Sequence, residues 1–301
     1  MHNLKRLYRN SFTLLGFRLN SGFVFSAVLI SCTGLFFSAS VQAQNIDSLY
    51  TVWQDESKDA PDRVRALNMY IWESKIYSNP DSALSLAKIM TRYSRKENYR
   101  FGEAIGLNVQ GMALQIKGDL PLALSVFKQA LKIQEELADD FGIAENLGGI
   151  GIIYAKLGDN EEALVYYHRS LDIFKKIGAK GALASSLSDI GHVYYELEND
   201  KKALDYYQQA LKINQERGDI GAEANSLGNI GNLYCQQGRY KEALLYVERS
   251  AKIQEEVGDQ VGLAISIGLK GDVNQFMGNT TEALKYYQQS TAMLEELGAL
   301  E

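Results

Sequence analysis

Apolar residues recur at helical spacing through most of the chain after Gln44, and that pattern itself repeats. The stretch Leu227–Asp259 shows the unit. Leu227, Gly231 and Tyr234 mark one helical stripe, Gly238 breaks it, and a second stripe runs through Ala243, Val247, Ser250 and Ile253. Two amphipathic helices, A and B, joined by a tight turn are therefore predicted. The glycine column stands at Gly111, Gly151, Gly191, Gly231 and Gly271, and the alanine column at Ala123, Ala163, Ala203, Ala243 and Ala283. A constant interval of this size is the signature of helical hairpins that bury their apolar faces against one another in a row. The expected fold is all-α, a right-handed α-solenoid of stacked helix-turn-helix units.

The columns carry packing information. Leu107, Leu147, Leu187, Leu227 and Ile267 stand four residues before the glycines, and Leu114, Tyr154, Tyr194, Tyr234 and Asn274 stand three after them. A glycine inside a helix costs about 1 kcal/mol relative to alanine. Its recurrence predicts a neighbour too close for a β-carbon. In helix B, Phe127, Tyr167, Tyr207, Val247 and Tyr287 follow the alanines by four residues, and Ala130, Ser170, Ala210, Ser250 and Ser290 come three later. Small residues permit close approach and the rings fill the gaps. The turns read Gly118-Asp119, Gly158-Asp159, Glu198-Asn199, Gly238-Arg239 and Gly278-Asn279, where glycine or asparagine can take the left-handed backbone that ends a helix. Pro61, Pro80 and Pro121 all fall at helix starts, where a missing N–H does no harm.

Four segments follow. Residues 1–43 read as an export signal: basic residues to Arg18, an apolar run from Phe23 to Ala39, then Val41-Gln42-Ala43 before the expected cleavage at Gln44. Two other fates compete, lipidation at Cys32 in Leu29-Ile30-Ser31-Cys32 and retention as an anchor, for which the run is short. Residues 44–61 form a short helix (Asn45–Glu56, capped by Asp47 or Ser48) and a linker. Residues 62–101 form a degenerate first repeat, with Ile71 in place of the column glycine. Residues 102–301 hold five regular repeats. The last one ends at Glu301 without a polar capping helix, so truncation, or a partner or second copy covering that end, is expected.

Charge narrows the partners. Lys and Arg number 31 against 37 Asp and Glu, and all four charges before Gln44 are basic, which leaves 27 − 37 = −10 on the remainder. Such a surface repels a phosphate backbone, so nucleic acid is excluded as a partner. Beyond the N-terminal segment no apolar run approaches membrane-spanning length. Cys235 is then the only cysteine left and reads as a small half-buried filler. His168 and His192 lack partners at metal-ligand spacing, and no phosphate loop, nucleophile elbow or Cys-x-x-Cys is present. Neither a cofactor nor catalysis is expected. In the pairs Tyr166-Tyr167, Tyr206-Tyr207 and Tyr286-Tyr287, one ring belongs to the core and its neighbour to packing between repeats.

Ile150-Gly151 to Tyr154 followed by Ala163 to Tyr167 resembles the tetratricopeptide pattern L-G-x-x-Y…A-x-x-x-F. The match recurs at Ile190-Gly191, Tyr194, Ala203 and Tyr207, and at Ile230-Gly231, Tyr234 and Ala243. The interval exceeds the usual ~34 residues, and Glu135, Lys175, Gln215, Glu255 and Glu295 replace the closing proline of helix B. The extra length is expected in helix B, about a turn and a half. This variant is similar to kinesin light chains, to bacterial quorum-sensing peptide receptors, and to the sensory arrays of receptor histidine kinases and nucleotide cyclases. The resemblance implies a concave groove, lined by A helices, that holds a protein or peptide. By position its lining is Glu145, Ile152 and Lys156; Ser185, His192, Tyr195 and Glu196; Asn225, Asn229, Asn232 and Gln236; and Asp272 and Gln275, with Asn229 at the groove edge. Asparagine offers both donor and acceptor to an extended backbone. Two functions are expected to compete. One is an exported, most simply periplasmic, non-catalytic scaffold; the other is the sensory input region of a receptor whose output domain lies elsewhere.

Overall fold

The computed structural model describes residues 39–297, with side chains from Ile46 onward, and all of its regular elements there are α-helices. The expected signal, its lipidation residue Cys32 and the last four residues lie outside the described residues, apart from the five positions that open the first helix. That helix, α1, spans Ala39–Gln54. Six hairpins follow: α2 (Ala60–Ser74) with α3 (Pro80–Lys96), α4 (Arg100–Ile116) with α5 (Leu120–Leu137), and α6 (Asp140–Leu157) with α7 (Asn160–Ile177). Next come α8 (Lys180–Glu196) with α9 (Asp200–Arg217), α10 (Ile220–Gln236) with α11 (Tyr240–Val257), and α12 (Gln260–Phe276) with α13 (Thr280–Glu296).

Each helix packs on the one before and the one after, as a linear stack requires. Consecutive A helices also touch, α2 with α4, α4 with α6, α6 with α8 and α10 with α12, while no two B helices come as close. The stack therefore bends around its A helices, whose outer faces line a trough, and splays its B helices on the convex side. Leu147, Ile150, Leu227, Ile230 and Leu233 are fully buried between hairpins. Each such residue contributes roughly 1.5–3 kcal/mol over an exposed one.

The glycine column has a geometric cause. A β-carbon on Gly111, Gly151, Gly191 or Gly271 would meet the ring of Phe127, Tyr167, Tyr207 or Tyr287 at 2.7–2.9 Å. On Gly231 it would meet Val247 at 2.6 Å and the Ala243 carbonyl at 3.3 Å. Each glycine is thus the notch into which its own B helix lowers a side chain. Gly191→Ala is expected to lower the melting temperature, because overpacking costs about 1–3 kcal/mol and outweighs a propensity gain of about 1 kcal/mol. A thermal unfolding curve checks it, and a raised midpoint would show that the Tyr207 ring yields freely. The column serine recurs as a clasp: Ser170, Ser250 and Ser290 each donate to the carbonyl of Ala144, Ala224 and Ala264 on the A helix of the same hairpin, at 2.7–2.8 Å.

Four local expectations are corrected. The first helix starts at Ala39 rather than Asn45, since no glycine or proline between them breaks it, and Asp47 and Ser48 lie inside it. Helices A and B are equally long, 17 or 18 residues in the regular hairpins, so extra length is shared rather than confined to B. In the turn after α8 the left-handed residue is Glu198 (φ 57°), while Asn199 caps α9 by accepting the Lys202 N–H at 3.2 Å. Cys235 is buried, not half-buried, and lack of solvent around its thiol pushes the pKa up to about 12.

Candidate binding trough

The inner faces of α6, α8, α10 and α12, the last four A helices, carry the expected lining, and the structure distributes it unevenly. On α6, Glu145 is exposed along the trough axis. Ile152 is corrected: it is only 3 % exposed and packs with Ala163, Tyr167, Ile190 and Val193, so it belongs to the contact between hairpins and offers almost no surface to the trough. Lys156 is half-buried, and loss of solvent around its amine lowers the pKa.

On α8, Ser185 turns back to the Gly181 carbonyl at 3.3 Å. His192 stacks on Tyr195 with centroids 5.8 Å apart, and Glu196 is exposed one helical turn further on. Burial lowers the His192 pKa, partly offset by the Glu196 charge. On α10, Asn225, Asn229, Asn232 and Gln236 share one face at spacings of four, three and four. Asn232 donates to the Tyr195 hydroxyl at 3.0 Å, which ties α10 to α8 across the trough floor. On α12, Asp272 accepts a hydrogen bond from Tyr287 at 2.7 Å, and Gln275 is exposed.

Tyr195 is the hub of this arrangement. Burial raises its phenol pKa far above the usual range, and the charges of Glu196, Cys235 and Asp272 act in the same direction. His192, Tyr195, Asn232 and Asp272, drawn from three different helices, are therefore brought together. Glu145 and Lys156 lie toward the N-terminal end of the same trough.

Asp189 is the residue that the motif columns failed to name. It lies on α8 one turn before His192, half-buried, and its charge adds to the burial that raises the phenols of Tyr167 on α7 and, behind Tyr195 and Glu196, Tyr207 on α9. The available signal was the column of Asn229, because Asp189 stands forty residues before it; Gly149 and Leu269 fill the same column and disguise it. Burial pushes the Asp189 carboxyl up to about 8 and that of Asp272 up to about 7, the latter pulled back by the Tyr287 hydrogen bond. Glu145 also rises to about 7, first from loss of solvent and then from Asp139, because protein walls it in although water reaches its surface. Among the described residues no three His, Cys, Asp or Glu gather as metal ligands.

In the first two tyrosine pairs one ring is core, as expected, but its neighbour stacks on a ring of its own hairpin and not of the next repeat, and in the third pair Tyr286 and Tyr287 are both half-buried. Tyr167 and Tyr207 are buried at 3 % exposure, whereas Tyr166 stacks on Tyr154 and Tyr206 on Tyr194, with centroids 5.4 and 5.5 Å apart.

Residues 102–176, 142–216 and 222–296 each match the family model described as tetratricopeptide repeat. The chain belongs to the tetratricopeptide repeat family. No curated relative matches the sequence. Several solved tetratricopeptide-like arrays share its fold. BtubC (BKLC) from P. vanneervenii superposes with a TM-score of 0.61 at 18 % identity, covering 74 % of this chain and 94 % of that one. A Rap protein solved in complex with Competence and Sporulation Factor gives 0.60 at 17 % identity, covering 86 % and 78 %. The apo form of the quorum sensor NprR from B. thuringiensis gives 0.60 at 15 % identity, covering 85 % and 72 %. Identities this low speak for the architecture. Among the described residues no helix of this repeat array is long and apolar enough to cross a membrane.

Proposed function

We propose that the chain is an exported, non-catalytic scaffold that holds a peptide, or an extended segment of a partner protein, in its concave trough. The observation that carries this reading is unspent hydrogen-bonding capacity on one face. The side chains of Asn225, Asn229, Gln236 and Gln275 make no hydrogen bond among the described residues, yet they line the inner surface of successive A helices. Side-chain amides that donate and accept at regular spacing match the donors and acceptors of an extended backbone. The solved Rap complex supports the same use of such an array. Export rests on the N-terminal segment 1–43, followed by 44–61, the degenerate repeat 62–101 and the regular repeats 102–301. Mass spectrometry of the mature N-terminus decides between cleavage before Gln44 and lipidation at Cys32.

Random dodecapeptides displayed on phage and selected on the full chain test the trough. Peptides are expected to be retained, with Asn232→Ala weakening them about 5- to 30-fold, as loss of one or two hydrogen bonds does. His192→Ala is expected to act in the same direction. Retention of no peptide, or equal affinity of both variants and wild type, would remove the reading.

A second reading, a sensory input region of a signalling receptor, is favoured by the similarity to NprR, a quorum sensor. In it the same trough is the input site, and occupancy would alter a partner rather than simply hold a ligand.

A further inference from the structure

The trough's charge selects among peptides, an inference that rests on the peptide-binding reading above. Asp189 on α8 and Asp272 on α12 both lie on the inner surface, and Glu145 on α6 extends the acidic line. The basic side chains that form ion pairs do so elsewhere: Lys117 with Asp81, Lys176 with Asp140, Arg217 with Asp219, Arg239 with Glu242, and Lys285 with Glu282. Asp189 has neither a hydrogen bond nor an ion pair among the described residues, and no cation is among the causes of its shift. Asp272 spends one oxygen on the Tyr287 hydroxyl and leaves the other free.

An acid enclosed by protein without a counter-ion is costly, and it neutralises itself by holding a proton unless a cation arrives. Around these two groups the walls suit a cation. The Tyr195 ring and the stacked His192 offer π-faces, and the hydroxyls of Tyr195 and Tyr287 are already bonded to trough residues. The excess of acidic residues beyond Gln44 adds long-range attraction for a basic ligand.

We propose that the trough between α8 and α12 recognises peptides bearing lysine or arginine, whose side-chain cations pair with Asp189 and Asp272. Binding then expels the protons these carboxyls hold. Affinity for a basic peptide rises with pH between about 6 and 8, the range in which both acids ionise in the free chain. The other groups facing Asp189 are Tyr167 and Tyr207, and those facing Asp272 are Tyr195, Cys235 and Tyr287; all titrate above this range. His192, with Glu196 beside it, titrates below its ordinary value and stays neutral through most of the range.

The same dodecapeptide library, selected on the full chain at pH 8, provides the test. Retained peptides are expected to be enriched in Lys and Arg over the input. The double variant Asp189→Asn/Asp272→Asn, isosteric and confirmed folded by circular dichroism, is expected to bind them at least tenfold more weakly. For a retained basic peptide, wild-type affinity should fall on going from pH 8 to pH 6, and the double variant should lose most of that dependence, keeping only the share that Glu145, which also ionises near 7, contributes. Peptides retained without basic enrichment, or bound equally by the double variant, would overturn the cation assignment and leave the peptide-binding reading standing. Failure to retain any peptide would overturn both.

Discussion

Ala243→Glu is expected to destabilise the array by about 3–5 kcal/mol, the range for an unpaired charge forced into a packed interior. Ala243 has no exposed surface, and it shares a cluster with Ala203, Tyr207, Ile230, Leu233 and Val273. Its carbonyl would lie 3.3 Å from a β-carbon on Gly231, so α10 and α11 cross there almost backbone to backbone. A glutamate can neither reach water nor find a cation in that contact. Because each hairpin leans only on its neighbours, the damage should stay local. Amide exchange is expected to speed up in α10–α13 while α4–α7 keep their protection. Leu245→Glu, two residues along and 58 % exposed on the convex side, is the control and should stay within about 0.5 kcal/mol of wild type. An unchanged melting temperature for Ala243→Glu would mean that helix B faces the other way.

The architecture was legible because it depends on spacing. Glycine and alanine columns fix which faces meet, and the rings of Phe127, Tyr167, Tyr207 and Tyr287 sit in the notches those glycines leave. The trough depends on something finer, the orientation of single residues within a shared column. Ile152 shares its column with His192, Asn232 and Asp272, yet its branched apolar side chain is drawn under Ile190 and Val193 of the next hairpin. Asp189 was hidden for the reverse reason. Glycine and leucine elsewhere in its column look like interior, and only the fold shows that the position opens onto the trough. The even division of length between A and B was not readable from the period, because a period counts residues per hairpin without saying which helix takes them.

Half-buried Asp189 makes stability depend on pH in a direction opposite to that of most carboxylates. Asp189 titrates near 3.9 in an unfolded chain and near 8 in the folded one, because burial disfavours its charge. Between those values the folded chain holds a proton that the unfolded chain has released. The contribution is fully present below about pH 4 and is lost as pH rises through the window up to about 8. Asp272 acts in the same sense up to about 7. Glu103 works the other way, its burial being outweighed by hydrogen bonds from Arg95 and Arg100, so its stabilisation fades only under acid conditions. A comparison at pH 7 and pH 9 avoids the range in which His192 gains charge, and because Cys235 also loses stability as the unfolded thiol ionises, the difference between wild type and Asp189→Asn is what reads the acid. Wild type is expected to melt lower at pH 9 than at pH 7. Asp189→Asn should exceed wild type at pH 9 by about 2–4 kcal/mol. Each tenfold change in proton affinity is worth at most about 1.4 kcal/mol, and water entering the trough keeps the gain below that ceiling. The gap should narrow as pH falls and close near pH 4, where the folded and unfolded chains both keep Asp189 protonated. A variant that tracks wild type at every pH would place the Asp189 carboxylate in open solvent and take away the cost that a bound cation is proposed to relieve.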